Sequence, residues 1–351
     1  MSVQRIPADQ ALAQLGRFGT IVDARSEGEF AIDHLPGAVN WPSLHDAERV
    51  EVGTLYRQVN PFEARKRGAA LVARNIAAHI EQHCMDKPKG WQPLLYCWRG
   101  GQRSGALALV LGQVGFRVQL LEGGYKAFRA AMLADLSSQV VRLSWRVICG
   151  PTGSGKTRLL HALARAGAQV LDLEALARHR ASVLGLIPGV AQPSQKHFEM
   201  TVWDSLRALD ATRPVYVEAE SKKVGNVTLP EPLVAAMRAG ACLRVAIGPR
   251  QRVALLLEDY PFFVSNPAFF GERLDTLVNL RGRAVIEGWK AQIAAGHTEA
   301  VVRELLEKHY DPGYATSTRR NFSQFEQAQA VPLADRSEAA LDAASARILA
   351  G

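Results

Sequence analysis

The sequence has few of the residues that would mark a disulfide-stabilised, zinc-binding or membrane-spanning protein. Its four cysteines are scattered and form neither a CxxC pair nor another spacing typical of metal ligands: Cys84, Cys97, Cys149 and Cys242. Structural disulfides and a zinc site are therefore not expected. No apolar run reaches the roughly 18 residues of a transmembrane helix, and the first residues lack the apolar core of a signal peptide. We therefore expect a cytoplasmic protein with no membrane association.

The length of the chain indicates the number of domains, and its charge indicates the kinds of partner to expect. At 351 residues the chain is longer than a single hydrophobic core usually supports, so two domains are expected. Lysine and arginine number 42 against 34 aspartates and glutamates, which gives a net charge of +8. Such a balance suits a polyanionic partner such as nucleic acid, or small anionic substrates.

One cysteine lies in a loop whose composition predicts a reactive thiolate. Residues 93–96 read as a strand, Cys97 follows, and a loop rich in glycine and arginine leads into a helical pattern. Backbone N–H groups and the helix dipole would converge on the sulfur, and Arg99 and Arg103 would add positive charge. These surroundings should lower the thiol pKa. We therefore expect Cys97 to be a nucleophile, although a buried structural cysteine is the alternative.

Two motifs mark the first half of the chain. The first is a predicted strand that ends in an acid and a base, followed by Glu-Phe and by His-Leu-Pro-Gly-Ala: Asp23, Arg25, Glu29, Phe30, His34, Pro36, Gly37, Ala38 and Asn40. The second is residues 120–128, with two consecutive glycines. They resemble the opening and closing motifs of the rhodanese family. The resemblance implies an α/β domain with Cys97 in its active site. We interpret Asp23 and Arg25 as a structural pair beneath the cysteine loop rather than as catalytic groups.

The spacing in the cysteine loop departs from that of common single-domain rhodaneses. Five residues separate Cys97 from Arg103, where those proteins have four, so this loop should admit a larger anion. The spacing also resembles that of cysteine-dependent phosphatases. However, a phosphatase normally has histidine before the cysteine and an acid in the loop, whereas this chain has Tyr96 and no obvious acid there. Phosphatase activity is the weaker interpretation.

A basic helix is predicted between the two rhodanese motifs, over residues 63–83. Four cations lie in its N-terminal half: Arg65, Lys66, Arg67 and Arg74. Two interpretations stay open, an ordinary solvated helix face and a surface that receives phosphates.

The second half of the chain begins with a phosphate-binding motif in its required context. Residues 145–149 read as a strand with Cys149 in the core, residues 150–157 match GxxxxGK[ST], and a helical pattern follows. Glycines let the backbone wrap a phosphate, Lys156 neutralises charge, and the Thr157 hydroxyl can bind Mg²⁺. The predicted phosphate-binding residues are Gly150, Gly153, Ser154, Gly155, Lys156 and Thr157.

Acidic residues at the ends of two further predicted strands are candidates for binding Mg²⁺ or positioning water. They are Asp172, Glu174, Glu218 and Glu220. Acids in such positions also cap helices, so both roles stay open for each residue. The tail after Asn321 carries no recognisable motif, and we expect it to pack as helix.

Residues 172–182, 192–199 and 217–226 carry a second and more specific resemblance. They resemble motifs of the tRNA 2-selenouridine synthase family, and the similarity extends to about residue 314. This family fuses a rhodanese domain to a P-loop domain. The resemblance implies an N-terminal rhodanese-like domain over residues 1–137. A P-loop NTPase-like domain with a parallel sheet and a helical C-terminal region would follow over residues 138–351.

The resemblance also implies a two-step reaction. The substrate would be the wobble 2-thiouridine of the tRNAs for lysine, glutamate and glutamine. Its sulfur would be alkylated with a geranyl group from geranyl diphosphate, and selenium from selenophosphate would then displace the geranylthio group. Cys97 would serve the selenium step as a perselenide carrier, and the P-loop would hold geranyl diphosphate or a nucleotide. The alternative function is a small-molecule sulfurtransferase with a nucleotide-sensing P-loop.

Two further sequence features are candidates for contacts with these substrates. Residues 260–270 are rich in aromatics, and we expect ordinary core packing there, with a slot for a prenyl chain as the alternative. Charge alone suggests a set of cations for tRNA contact. They are Lys222, Lys223, Arg238, Arg281, Arg283, Arg319 and Arg320.

Overall fold

The computed structural model describes residues 3–182 and 184–351, and the chain divides into two compact units. The first unit comprises Met1–Ser138 and Lys196–Asp204, and the second comprises Gln139–Gln195 and Ser205–Gly351. The first unit therefore includes a helical segment that is distant in sequence. In that segment, the Trp203 indole donates a hydrogen bond to Asp135 at 2.8 Å and meets the Phe128 ring edge to face.

A parallel sheet forms the centre of the first unit. Among the described residues its five strands are β1 (Gln4–Ile6), β2 (Thr20–Asp23), β3 (Ala38–Asn40), β4 (Pro93–Tyr96) and β5 (Gln119–Leu121). The order β1-β5-β4-β2-β3 places β4 at the centre. Every residue of β4 is buried, as expected for a strand covered on both faces. The central position of β4 fixes the start of the cysteine loop.

Helices cover this sheet. They are α1 (Ala8–Ala13), α2 (Glu27–Ile32), α3 (Asp46–Gln58), α4 (Pro61–His83), α5 (Gln102–Val114) and α6 (Gly124–Arg142), with a 3-10 turn at Leu15–Arg17. The predicted basic helix is confirmed as α4, which Asn60 caps by accepting hydrogen bonds from two backbone N–H groups. Lys66 and Arg67 pair with Glu63 and Glu51, which favours a solvated face for this part of the helix.

The second unit is built on another parallel sheet. Its described strands in this sheet are β6 (Trp145–Cys149), β7 (Gln169–Leu171), β8 (Val215–Glu218), β11 (Ala241–Ala246) and β12 (Gln329–Pro332), and a small antiparallel pair consists of β9 (Lys223–Val224) and β10 (Val227–Thr228). The order β12-β11-β6-β8-β7 makes β6 the central strand. The phosphate-binding loop therefore begins at the carboxyl end of the central strand, where ligands bind in open α/β sheets.

The remaining elements are mostly helical, as the sequence predicts. They are α7 (Lys156–Arg165), α8 (Leu173–Ala177), α9 (Gln195–Arg207), α10 (Glu231–Ala239), α11 (Pro249–Asp259), α12 (Pro261–Ser265), α13 (Pro267–Leu274), α14 (Val278–Arg281), α15 (Arg283–Ala294), α16 (Thr298–Leu305), α17 (Asp311–Asn321) and α18 (Glu338–Ala350). Residues 275–277 and 325–327 are 3-10 turns, and residues 306–310 form a π-helix.

The C-terminal tail differs in one element from the all-helical prediction. Strand β12 pairs with β11, so this part of the tail extends the sheet. The rest agrees with helical packing, because Leu341 and Ile348 of α18 join the core formed by Leu160 and Leu163 of α7. None of the described helices combines the length and the apolar character that crossing a membrane would require.

Candidate active sites

Cys97 lies between the central strand β4 and the N-terminus of α5. Its side chain is buried, and the Ser104 hydroxyl donates a hydrogen bond to Sγ at 3.1 Å. Burial would raise the pKa of the Cys97 thiol, but hydrogen bonds from Ser104 and the Gly101 backbone, together with the charge of Arg103, outweigh it. The pKa is therefore lowered, in the direction that the loop composition predicts. The arrangement can hold a thiolate nucleophile.

The two glycines of the closing motif hold the cysteine loop in shape. Gly124 has a φ of +59°, and a Cβ atom there would lie 2.2 Å from the Cys97 carbonyl oxygen. The backbone therefore approaches the loop more closely than any larger residue would allow. The next two residues use this proximity, because Tyr125 N–H donates to the Cys97 carbonyl at 2.8 Å and Lys126 N–H donates to the Trp98 carbonyl at 3.1 Å.

The two arginines of the cysteine loop have different surroundings. The Arg103 guanidinium lies 2.6 Å from the Glu29 carboxylate, which also pairs with Arg49 at 3.2 Å. The positive charge of Arg103 is thus shared with an acid, a partner that the sequence does not predict. Arg99 is exposed and has no acidic partner among the described residues. Arg99 is therefore the cation of the loop that an incoming anion can meet.

Asp23 and Arg25 form the structural pair that the sequence predicts. Their side chains are 0% and 2% exposed and lie 2.6 Å apart. Arg25 also donates to the Asp33 carbonyl at 2.6 Å and lies over the Tyr125 ring, 4.2 Å from its centroid. Because both side chains are buried and paired with each other, a substrate cannot reach either of them. The pair and the bond to Asp33 fix the segment that follows β2.

The phosphate-binding loop connects β6 to α7 and has the backbone conformation that its glycines predict. Gly153 and Gly155 have φ angles of +75° and +89°, which favour glycine. Lys156 Nζ donates to the Gly150 carbonyl at 2.9 Å, so its ammonium group lies against the loop. The motif residues therefore form a cradle for a phosphate.

Arg252 of α11 supports this loop, although no motif marks it in the sequence. Its Nε and Nη2 donate to the Thr152 carbonyl at 3.0 and 2.8 Å, and it pairs with Asp311 at 2.6 Å. An isolated arginine some hundred residues after the motif gives no local signal of such a role. Only the tertiary fold brings the two segments together.

Three carboxylates gather beside the phosphate-binding loop. Those of Glu174, Glu218 and Glu220 offer oxygen atoms that all lie within 4.8 Å of one another. Glu218 is 4% exposed, and its Oε1 has no hydrogen-bond partner among the described residues. Burial and the nearby charge of Glu174 raise the pKa of Glu218 to about 8. A hard divalent cation, which prefers oxygen ligands, would relieve this repulsion.

Asp172, the remaining acid that the sequence suggests, has a different environment. Its Oδ1 accepts a hydrogen bond from the Ala175 N–H at 2.8 Å and so caps α8. Its Oδ2 lies 2.8 Å from His161 Nε2. Asp172 is outside the cluster of three carboxylates, and the capping role is the one that the structure favours.

One cavity extends along the phosphate-binding loop and the carboxylate cluster. Its volume of about 480 Å³ is typical of small-molecule sites. It is lined by the phosphate-binding loop and by Glu174, Glu218 and Glu220. An adjoining apolar pocket shares five lining residues with it: Thr152, Ser182, Leu256, Tyr260 and Tyr310. The apolar pocket thus opens beside the phosphate cradle.

The aromatic segment 260–270 contributes both to the core and to this pocket. Phe263 and Phe270 are buried in a hydrophobic cluster with Trp289, so the predicted core packing is confirmed. The same two rings also line the apolar pocket. Core packing and a slot for a hydrocarbon chain are therefore compatible at these residues.

The basic residues that the sequence suggests for tRNA contact are not equivalent. Lys222 and Arg238 line the cavity. Arg281 hydrogen-bonds His309, and Arg319 pairs with Glu326 at 3.1 Å. The side chains of Lys223, Arg283 and Arg320 are exposed and form no ion pair with other residues that the structure describes.

Known proteins resemble both halves of the chain. Residues 7–131 match the family model of the rhodanese-like domain, and residues 143–269 match that of the tRNA 2-selenouridine synthase AAA domain. A tRNA 2-selenouridine synthase from Nitrosomonas europaea is 38% identical over 247 residues, which are 68% of this chain and 63% of that protein. One from Alcanivorax borkumensis is 32% identical over 84% of this chain and 88% of its own length. One from Shewanella denitrificans is 31% identical, with 90% and 92% covered.

Proposed function

Because this chain belongs to the tRNA 2-selenouridine synthase family, we propose that it converts 2-thiouridine in tRNA to 2-selenouridine. The proposed acceptors are the tRNAs for lysine, glutamate and glutamine, modified at the wobble position. The conversion has two steps, S-geranylation from geranyl diphosphate and replacement of the geranylthio group by selenium from selenophosphate.

The first step uses the P-loop cavity and its apolar neighbour. The observation that carries this proposal is the set of five residues shared by the phosphate cradle and the apolar pocket. A diphosphate in the cradle would place the first carbons of an attached hydrocarbon chain beside Leu256, Phe263 and Val302. The apolar pocket has a volume of about 50 Å³, so a ten-carbon geranyl chain must widen it on binding or extend into the larger cavity. This pairing of an anion site with an apolar pocket favours a prenyl diphosphate over a nucleotide as the ligand.

In this step the thiouridine sulfur bonds to the first carbon of the geranyl chain, and the bond from that carbon to the diphosphate oxygen breaks. The base loses its N3 proton to the solvent, and the diphosphate leaves with both electrons of the broken bond. Lys156 and the backbone N–H groups of the loop stabilise the negative charge that develops on the leaving group. The protein therefore contributes positioning and charge stabilisation.

A divalent cation fits the carboxylate cluster. Glu174, Glu218 and Glu220 supply only oxygen ligands, and Glu218 Oε1 lacks a hydrogen-bond partner among the described residues. Thr157, which follows the loop lysine, would add its hydroxyl. A bound Mg²⁺ would neutralise part of the diphosphate charge.

The second step uses the cysteine loop. Alkylation has by then converted the sulfur into a leaving group. The selenium of selenophosphate bonds to C2 of the base, and the C2–S bond breaks to release geranylthiol, which takes a proton from the solvent. Water then cleaves the P–Se bond, and phosphate leaves. We assign Cys97 to this step because its lowered pKa favours a thiolate and because the exposed Arg99 can meet the selenophosphate anion. The loop N–H groups and the α5 dipole favour anion binding at the same place.

The direct test is a nucleoside analysis. Incubation of the protein with a 2-thiouridine tRNA, geranyl diphosphate and selenophosphate should yield geranylthiouridine and then 2-selenouridine, both resolved by mass. Thiosulfate-to-cyanide sulfur transfer without any change in the tRNA would instead support a small-molecule sulfurtransferase.

A further inference from the structure

One wall of the P-loop cavity belongs neither to the phosphate-binding loop nor to the apolar pocket. It is formed by the loop after β8, the last turn of α10 and the C-terminal part of α17. Its lining residues, which we call the basic wall, are Lys222, Arg238, Ser317, Asn321 and Phe322. All of them lie in the second unit.

The two cations of the basic wall have no compensating acid. Lys222 is exposed and Arg238 is half-buried, and neither forms an ion pair within the part of the chain that the structure describes. Other arginines near the phosphate-binding loop are neutralised, because Arg158 pairs with Asp259 at 2.7 Å and Arg252 pairs with Asp311. Two further cations of the lining, Lys156 of the phosphate-binding loop and Arg180 over the Tyr260 ring, also lack an ion pair among the described residues, so Lys222 and Arg238 are the unpaired cations of the basic wall.

The backbone that carries these cations is held in place. The Arg238 carbonyl accepts hydrogen bonds from the N–H and the hydroxyl of Ser323, at 3.0 and 3.2 Å. These bonds tie the end of α10 to the segment that follows α17. The Lys222 carbonyl accepts from Leu229 N–H at 2.9 Å, which closes the β9–β10 pair. The backbone positions from which both side chains extend are therefore fixed.

The proposed first step requires a nucleotide in this cavity. A displacement needs its reacting atoms within about 3.5 Å of each other. The carbon under attack is one bond from the diphosphate, so the thiouridine base must reach the phosphate cradle. A nucleotide within a polynucleotide brings a phosphodiester on each side, and these anions need cations that the diphosphate does not occupy.

We propose that Lys222 and Arg238 bind the tRNA phosphates that flank the modified uridine when this nucleotide enters the P-loop cavity. The inference rests on the proposed function and adds the residues through which the cavity holds its polynucleotide substrate. Phosphate contacts of this kind are independent of base sequence and weaken with salt.

The experiment compares two ligands on the same variants. Lys222→Ala, Arg238→Ala and the double variant are titrated with tRNA between about 50 and 200 mM salt, the range in which lost phosphate contacts are evident, and separately with inorganic pyrophosphate. Arg250→Ala is the matched control, because Arg250 is an exposed cation of the same unit and lies outside the cavity lining. Arg238→Lys keeps the charge and tests for a folding defect.

We expect each alanine variant to bind tRNA more weakly and to reduce the slope of log Kd against log salt by about 0.7 to 0.9. Pyrophosphate affinity should stay within about twofold, and Arg250→Ala and Arg238→Lys should resemble the unaltered protein. Wild-type tRNA affinity and slope in the double variant would overturn the proposal. Equal losses for tRNA and pyrophosphate would also overturn it, because the cations would then serve the diphosphate.

An alkylation assay on the same samples separates this inference from the proposed function. If the unaltered protein geranylates the tRNA but the double variant binds and reacts normally, only the assignment of the basic wall fails. If the unaltered protein binds tRNA but never alkylates it, the proposed function fails instead.

Discussion

The guanidinium of Arg103 donates two hydrogen bonds to the carboxylate of Glu29, at 2.6 and 3.3 Å. The two side chains are 24% and 18% exposed, so the pair is largely shielded from water. The pair joins the cysteine loop to α2, the helix that the opening motif forms. Loss of Arg103 would leave the more exposed Arg49 as the one cation paired with Glu29 among the described residues, beside the hydrogen bonds from Ser26.

Replacement of the two loop arginines should therefore separate stability from catalysis. Arg103→Ala is expected to lower the free energy of unfolding by about 1 to 3 kcal/mol, because it leaves a partly buried acid poorly compensated. Arg99→Ala should change stability by less than about 0.5 kcal/mol, since Arg99 is exposed. It should instead slow selenium incorporation at low selenophosphate concentration. Urea unfolding and nucleoside analysis measure the two effects, and equal stability losses would contradict the assignment.

Ser104→Ala should raise the pKa of Cys97. The Ser104 hydroxyl donates to Sγ and is the largest of the groups that lower this pKa. A hydrogen bond to the charged form of a group favours that form, so its loss should disfavour the thiolate. Because only the thiolate reacts, the pH profile of iodoacetamide labelling should move to higher pH in the variant. Cys97→Ser identifies the signal of this thiol, and an unchanged profile would show that the hydroxyl does not stabilise the thiolate.

Local motifs predict the cysteine loop and the phosphate-binding loop. The residues that hold these loops in place reach them only through tertiary contacts, which the motifs do not predict. The cysteine loop and the phosphate-binding loop are each continuous in sequence, so spacing alone identifies Cys97 and Lys156. Arg252 contacts the Thr152 carbonyl from a helix far along the chain, where nothing local distinguishes it. Strand β12 is short and ends in proline, and its pairing with β11 makes it a strand.

Prediction from the sequence is limited in the same way for two neighbouring acidic residues. Sequence places Asp172 and Glu174 together near the end of a strand, but one caps α8 and the other joins the carboxylate cluster. Their roles follow from the direction of each side chain, which spacing does not determine.

Glu218→Gln should remove a response to magnesium without harming the fold. Burial and Glu174 disfavour the charged form of Glu218, so the neutral amide should leave the melting temperature in EDTA equal or higher. Added MgCl₂ should stabilise the unaltered protein more than the variant, because one oxygen ligand is lost. Thermal melts with and without Mg²⁺ measure this difference. An equal rise in melting temperature for both proteins would exclude the cluster as the magnesium site.

The two steps should be separable by single substitutions. Cys97→Ser should abolish selenium incorporation but leave geranylthiouridine to accumulate, because the thiol belongs only to the second step. Lys156→Ala should impair geranylation first, since its ammonium stabilises the leaving diphosphate. Pre-geranylated tRNA supplied to Lys156→Ala should still gain selenium. If Cys97→Ser also stops geranylation, this division between the two loops is wrong.

A substitution in the apolar pocket is the clearest test of whether the ligand is a prenyl diphosphate or a nucleotide. Val302 of α16 is only partly buried and lines this pocket, so Val302→Phe should fill the space without burying a polar group. We expect at least a tenfold loss of affinity for geranyl diphosphate, because a hydrocarbon chain gains about 0.8 kcal/mol for each buried CH₂. Affinity for inorganic pyrophosphate should remain, since the phosphate cradle is unchanged. Val285→Phe is the matched control, because Val285 is exposed on α15 and lies outside the pocket. Calorimetric titration with both ligands tests the prediction, and normal geranyl diphosphate binding by Val302→Phe would place the hydrocarbon chain elsewhere.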